Sequence, residues 1–171
     1  ERMAPNFALF CQMTEQEQAE KTYHNILNLV WEFLTVKGAK INFENQLEKL
    51  EEIIPNVNDY DFFGVVPALD ACEALGELLH AIIAGETLEK AIQISQISLG
   101  TVCSLLETQE DRDLSETELK SREEIEEELD LQWQIYRLLK DCEKRDVDLI
   151  LSLRNEIKQE GISNIGIKIE Q

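Results

Sequence analysis

Proline, glycine and aromatic residues are scarce in this sequence. Its 171 residues include three prolines and seven glycines, and aromatic side chains make up 6% of the chain. A turn-rich β fold needs more turn-forming residues, and a disordered chain would not contain 43% hydrophobic residues. The composition therefore predicts an all-α protein. The length suffices for a single helical domain with its own core, which we place at residues 1–171.

Basic residues are also few, which argues against two classes of partner. Sixteen lysines and arginines stand against 35 acids, so the formal net charge is −19. Such a chain repels phosphate backbones and anionic headgroups, and direct nucleic-acid binding and membrane docking are both disfavoured. The sequence shows no secretory signal and no run of about 20 apolar residues. We therefore expect no contact with a membrane.

Closely spaced cysteine pairs are missing as well. Cys11, Cys72, Cys103 and Cys142 are far apart, form no C-x-x-C pair and lie in apolar helical contexts. Buried, reduced thiols of this kind are typical of cytoplasmic proteins. The cysteines thus predict a cytoplasmic location and no disulfide.

Catalytic signatures are absent from the pattern. Two histidines and four scattered cysteines make no nucleophile–base arrangement, and the glycines at 161 and 166 follow a predicted helix rather than a strand. Whether the chain is an enzyme stays open, with a non-enzymatic role favoured. We interpret it as an interaction or regulatory protein that has an unidentified protein partner and forms a homodimer.

The most apolar stretch runs from Pro67 to Leu106 and predicts a helical hairpin. Pro67 suits the first turn of a helix, and Gly85 suits the left-handed position that closes its end. Apolar residues surround most of the first helix, and Leu88 and Ile92 fall on the predicted buried side of the second. We expect this hairpin to form the centre of the core.

Start and stop signals elsewhere predict a bundle of about seven to eight helices. Thr14 and Ser115 each begin a capping-box pattern with a glutamate three residues later, and Asn42 and Asp146 are further N-cap candidates. The predicted inward face of the last helix consists of Val147, Leu149, Ile150, Leu153 and Ile157.

The C-terminal end alternates apolar and polar residues from Ile165 to Ile169. This is a strand pattern without a partner strand, and such a strand is unstable unless something covers it. We expect a short extended tail that docks along the bundle. Pairing with another copy of the chain is the alternative.

One polar stripe interrupts the first helix of the hairpin. Its members are Asp70, Glu73, Glu77 and His80. The Glu-x-x-His spacing of Glu77 and His80 occurs in ferritin-like di-metal bundles, which need it twice. The second motif is missing here, because Lys21 stands three residues before His24. The stripe is either the solvated edge of a buried helix, with no cofactor, or a single divalent-metal site. A metal site would make the chain a metal-dependent helical enzyme or a metal-binding bundle.

Aromatic residues provide two weaker candidates. Trp31 and Trp133 are either core residues or anchors for a partner protein. The loop from Tyr60 to Phe63 is the only feature that suggests a small-molecule site. The acidic stretch from Glu123 to Asp130 reads as a solvated helix face.

Five segments together resemble one bacterial family. They are NLVWEFLTVKGAKINFENQLEKLEEIIP, YDFFGVVPALDACEAL, GETLEKAIQIS, DLQWQIYRLLKDCEKRD and SNIGI. They are similar to the YjaG-like family of uncharacterised proteins over essentially the whole chain. The resemblance implies an all-helical, cytoplasmic bacterial protein without an established activity. Members carry residues before the ERM-P-N segment, and this chain begins at Glu1 rather than methionine, so we expect its N-terminus to be truncated.

Overall fold

The protein is a bundle of eight α-helices, seen in a computed structural model that describes residues 1–142 and 144–168. The helices are α1 (Ala4–Met13), α2 (Glu17–Thr35), α3 (Phe43–Glu51), α4 (Val65–Ala84), α5 (Thr87–Glu110), α6 (Glu116–Lys120), α7 (Glu123–Leu139) and α8 (Val147–Glu160), with a 3-10 turn at Val57–Asp59. The predicted fold class, an all-α bundle of seven to eight helices built on a central hairpin, is confirmed.

Most helices begin and end where local side-chain chemistry directs them. The side chains of Asn42 and Asp146 accept hydrogen bonds from backbone N–H groups of α3 and α8, and Ser115 forms a complete capping box with Glu118. Gly85 ends α4 with φ of 75°, a left-handed conformation that costs glycine little. These boundaries are confirmed as the sequence predicts them.

The capping box predicted at Thr14 is wrong. The Thr14 hydroxyl donates to the carbonyl of Phe10 at 2.8 Å, so it closes the end of α1 instead of opening α2. Helix α2 begins at Glu17 behind Gln16, which makes no side-chain cap. The hydroxyl bonds backward because α1 ends directly before it and leaves carbonyls that need partners.

Helix α4 lies at the centre of the core and packs against α1, α3 and α5. Small residues let these neighbours approach it closely, and Ala68, Ala71 and Cys72 are completely buried. Tyr23 of α2 stacks on Phe7 of α1 and donates its hydroxyl to a carbonyl of α4. The predicted central role of α4 is confirmed. A smaller cluster under α5 consists of Val102, Leu106, Leu114 and Ile125.

The loop that carries Tyr60 and Phe62 is part of this core. Both rings pack against Phe10 of α1, and the Tyr60 hydroxyl accepts a hydrogen bond from Gln16 at 2.8 Å. The aromatic surface that suggested a small-molecule site therefore serves the packing of the loop on the bundle.

The first turns of α5 are not buried, contrary to the prediction. Leu88 is 76% exposed and Ile92 is 51% exposed, whereas Val102 and Leu106 farther along the helix are buried. The sequence pattern marks the correct side of α5. It does not show that the small cluster under α5 covers only the later turns of that side.

Helix α8 is also less buried than predicted. Its apolar residues are half-buried at most, and none of the residues in α8 is fully buried. The helix packs mainly on α2, where Arg154 donates to Asn28 and stacks over the Trp31 ring at 5.3 Å. A helix held by one neighbour keeps most of its surface in solvent. Trp31 is accordingly half-buried.

The C-terminal tail docks on the bundle in its middle part, while Ile162, Gly166 and Lys168 are exposed. Ser163 and Asn164 are buried, and Ile162 forms an antiparallel bridge with Lys168. The Asn164 amide donates to the backbone carbonyl of Ser98 at 2.9 Å and accepts from Asn6 at 2.9 Å. Ile169, the last residue of the predicted strand, lies outside the described residues. Docking gives the tail the cover that a lone strand requires.

No helix within the described residues has the combination of length and apolar character that crossing a bilayer requires. In α4, which has 20 residues, three acidic side chains interrupt the apolar surface.

Alanine substitution of two leucines of the hairpin should show that one lies in the core and that the other lies outside it. Leu79→Ala removes a fully buried side chain of α4 and should lower the free energy of unfolding by about 2–5 kcal/mol. Leu88→Ala should change it by less than about 0.5 kcal/mol, because that side chain is mostly in solvent. Urea denaturation measures both. Equal losses would contradict the placement of Leu88 outside the core.

Candidate functional site

An open groove of about 640 Å³ lies between α3, α4 and α5. Its floor is apolar and is formed by Leu47, Leu50, Cys72, Gly76 and Ile97. Ile54 also lines the groove and is 41% exposed, whereas Leu50 and Cys72 are fully buried. The rim is polar and consists of Glu51, Glu73, Glu77, His80, Gln93 and Gln96. The groove therefore offers an apolar surface framed by carboxylates.

Gly76 keeps the middle of the floor free of side-chain atoms. It lies in the interior of α4, where glycine destabilises a helix by about 0.5–1 kcal/mol relative to alanine. A Cβ added there would meet only Leu50 Cδ2 at 3.7 Å, an ordinary van der Waals distance. Packing does not demand glycine at this position, and its effect is to widen the groove.

Three of the four residues in the predicted polar stripe line this groove. Glu73, Glu77 and His80 lie on its rim. Asp70 instead faces α5, where one carboxylate oxygen accepts a hydrogen bond from the buried hydroxyl of Thr101 at 2.7 Å. The structure brings Glu73, Glu77 and His80 together and assigns Asp70 to the contact between α4 and α5.

The carboxylates on α4 are crowded and partly removed from water. Burial raises the pKa of Asp70, and the hydrogen bond from Thr101 opposes that rise. The pKa of Glu73 is raised first by burial and then by the negative charges of Asp70 and Glu77. Lys90 of α5 partly offsets this crowding through an ion pair with Glu77 at 2.5 Å, and its hydrogen bond to Glu77 raises the pKa of Lys90.

The described residues form no ligand cluster that would support the metal-site hypothesis. Among residues 1–142 and 144–168, no group of three or more His, Cys, Asp and Glu side chains is arranged to hold a metal ion. Glu77 is engaged by Lys90, and Asp70 by Thr101. A divalent metal at Asp70, Glu73, Glu77 and His80 stays a prediction.

The cysteine beneath the groove is a packing residue. Cys72 is completely buried, and burial raises the pKa of its thiol well above the ordinary value. Burial also raises the pKa of Cys11 to about 12. Thiols that stay protonated are poor nucleophiles. All four cysteines are free. The prediction that they are buried is wrong for Cys103, which is half-buried, and for Cys142, which is exposed just past the end of α7.

A second surface feature lies on the outer side of α7. We call it the α7 face, and it consists of Leu129, Asp130, Trp133, Tyr136 and Arg137. Trp133 and Tyr136 are 55% and 56% exposed, and their rings meet edge to face with centroids 5.5 Å apart. Large aromatic side chains left in water mark interaction surfaces more often than chance.

Helix α5 packs against α7, and its exposed first turns lie toward the C-terminal end of α7. Gln132 contacts Ser95, and Glu128 contacts Ser98, so α5 and α7 run antiparallel. This register places the first turns of α5, with Leu88 and Ile92, beside the last turns of α7. The apolar side chains at that end of α5, Leu88 and Ile92, are exposed.

The sequence predicts the α7 face only in part. It singles out Trp133 but leaves open whether this residue is core or anchor. Leu129, Trp133 and Tyr136 repeat at helical spacing, yet so do Ile125, Glu128 and Gln132, which face α5. Only the packed structure shows that Ile125, Glu128 and Gln132 are covered by the bundle and that Leu129, Trp133 and Tyr136 are exposed.

Comparison with known proteins identifies a family. The family described as "Protein of unknown function (DUF416)" matches residues 1–168. An uncharacterized protein of Haemophilus influenzae is 73% identical over the whole chain and is covered to 87% of its own length. The uncharacterized protein YjaG of Escherichia coli K12 is 52% identical with the same coverage. The predicted YjaG-like resemblance is confirmed.

A solved structure shares the fold. The crystal structure of a DUF416 family protein from Shewanella baltica superposes with a TM-score of 0.89 at 33% sequence identity. The match covers 98% of this chain and 87% of that one. None of these names assigns an activity.

Asp70 should make stability depend on pH in a defined direction. Because its pKa is raised above 3.8 in the folded state, the folded chain holds that proton more tightly than the unfolded chain. Stability from this group is present at low pH and is lost as the pH rises through the folded pKa. Asp70→Asn should therefore lose less stability than wild type between pH 4 and pH 7, as measured by urea denaturation. Asp61→Asn, at an exposed loop position, is the control and should match wild type.

Addition of metal tests the remaining hypothesis for the stripe. If Glu73, Glu77 and His80 bind a divalent ion, Zn²⁺ or Mn²⁺ should raise the melting temperature of tag-free protein, and His80→Ala should abolish the rise. Lys90→Met should enhance it, because Glu77 would no longer be held in an ion pair. An unchanged melting temperature in wild type and in Lys90→Met would count against the site.

Proposed function

The chain belongs to the DUF416 family, and we propose that it works as a non-enzymatic interaction protein that pairs with a second copy of itself through the α7 face. The observation that carries this proposal is the exposure of Trp133 and Tyr136 on a helix that Glu128 and Gln132 hold against α5.

The apolar content of the α7 face supports a protein partner. Tryptophan and tyrosine are the residues that most often dominate the binding energy of interfaces. Here they lie on the same helix as Leu129, which is 37% exposed. Each of these side chains would gain by leaving water, at roughly 25 cal/mol per Å² of apolar area buried.

The charges on the α7 face favour a second copy as that partner. Asp130 precedes Trp133 by three residues and Arg137 follows it by four, so the three side chains share one strip of the helix. All three are exposed, and neither Asp130 nor Arg137 has a salt-bridge partner among the described residues.

An antiparallel pair of α7 helices would satisfy these charges. When the two helices cross at Trp133, Asp130 of each copy lies opposite Arg137 of the other. Twofold symmetry demands such self-complementarity, because the same patch serves both sides. The acidic first turns of α7 would also meet the basic end of the second copy, where Arg137 and Lys140 lie.

The remainder of the molecule opposes association. Two copies with a net charge of −19 each repel at long range. Pairing therefore depends on the local contacts of the α7 face, and single changes there should have large effects.

Charge reversal on the α7 face tests the pairing. Asp130→Arg and Arg137→Asp should each give monomers, because like charges then face one another across the twofold axis. The double variant should restore the dimer, since it exchanges the two partners. Trp133→Ala should weaken dimerisation by about tenfold or more. Sedimentation equilibrium across the micromolar range measures each constant.

Met13→Ala is the matched control, because Met13 is 58% exposed on a different part of the molecule, and it should dimerise as wild type does. A wild-type protein that stays monomeric at high micromolar concentration, or a double charge variant that fails to pair, would contradict the proposal.

A further inference from the structure

We propose that the groove between α3, α4 and α5 binds a basic amphipathic helix of a partner protein. This proposal goes beyond the pairing of copies through the α7 face, because the groove is lined by other residues.

The shape of the groove suits the apolar side of a helix. An amphipathic helix inserts side chains spaced three and four residues apart into a groove with an apolar floor. Leu47 and Ile97, which are half-buried, and Ile54, which is exposed, provide such a surface, whereas Leu50 and Cys72 are fully buried. At about 640 Å³ the groove has room for several side chains of a partner helix.

Gly76 gives an independent indication that the groove is kept open. Glycine destabilises the interior of α4, yet nothing within 3.7 Å would obstruct a Cβ at this position. The fold gains nothing from the missing side chain. A partner helix has more space at the floor when this side chain is missing, because any side chain at this position would project from α4 into the groove.

The rim selects for a partner with positive charges. Glu51, Glu73 and Glu77 lie on the rim together with His80, and Lys90 outside the rim is already paired with Glu77. Burial and neighbouring carboxylates raise the pKa of Glu73, so a lysine or arginine brought close to it would stabilise its ionised form. Gln93 and Gln96 add hydrogen-bonding groups on the α5 side.

A second copy of the chain is a poor occupant of this groove. The surface of the chain is strongly acidic, with 35 acids against 16 bases. Its most basic segment lies around the end of α7, and Arg145 of that segment already donates to the carbonyls of Phe33 and Leu34 at the end of α2. Nucleic acid is repelled by the same charge.

Three synthetic peptides test the proposal by fluorescence anisotropy. The first is a fluorescein-labelled helix with leucines at positions i, i+3, i+4 and i+7 and lysines elsewhere. The second replaces the lysines with glutamates, and the third replaces the leucines with serines. The first should bind, and the other two should bind at least about tenfold more weakly, because each lacks one of the two complementary features.

Variants of the chain locate the binding site. Gly76→Leu should fill the floor and weaken binding of the first peptide by about tenfold or more. If Gly76→Leu disturbs the fold, Gly76→Ala is the alternative variant. It should raise the melting temperature, because alanine favours the helix, and still weaken binding measurably.

The double variant Glu73→Gln/Glu77→Gln should also weaken binding, and Glu156→Gln/Glu160→Gln is its matched control. The control removes the same charge from exposed positions on α8 and should bind as wild type does. It separates the groove from the general attraction of a basic peptide to an acidic protein.

Three results would overturn the proposal. They are equal binding of the leucine-free peptide, unchanged binding by folded Gly76→Leu and Gly76→Ala, and an equal loss in the α8 control variant. Trp133→Ala, tested with the same peptide, should bind as wild type does. Peptide binding by this variant keeps the groove distinct from the α7 face, so either proposal can fail alone.

Discussion

The buried carboxylate of Glu128 sets the arrangement of half the molecule. A buried charge is tolerated only when it is paired and hydrogen-bonded. The partners of Glu128 are Arg2 at the N-terminal end, Ser98 of α5 and Gln132 one turn later on α7. Ser98 in turn accepts from Asn164 of the tail, which accepts from Asn6 of α1. One network thus joins both ends of the chain to the two helices between them.

This network explains why α7 presents an aromatic side to solvent. The side of α7 that carries Glu128 and Gln132 is committed to α5, and the small cluster at Ile125 secures its first turns. Trp133 lies about 100° around the helix from Gln132 and does not share that side, and Tyr136, one turn past Gln132, is exposed as well. A helix anchored by polar contacts within the protein keeps its apolar residues available for contacts outside it, which is the physical basis of the proposed pairing.

The central hairpin explains the groove in a similar way. Helix α4 is apolar on most sides and is covered by α1, α3 and α5, and three of its four strongly polar residues line the groove between α3 and α5. Sequence reasoning finds these residues because they form the only polar stripe on the helix. It cannot separate Asp70 from the other three, since the separation depends on Thr101, 31 residues farther along the chain. Sequence reasoning also does not identify Gly76 as a groove residue, because its role becomes visible only from the distance between its position and Leu50.

Local patterns by themselves determined the helical class, the hairpin, the caps at Asn42, Ser115 and Asp146, and the turn at Gly85, because each depends on residues within a few positions of one another. Tertiary structure decided which apolar residues are covered. Leu88 and Leu79 look alike in sequence, yet one is exposed and the other is buried. Burial depends on which distant helices arrive at a surface, and the contacts that bring them together join residues more than 100 positions apart, as Arg2 and Glu128 do.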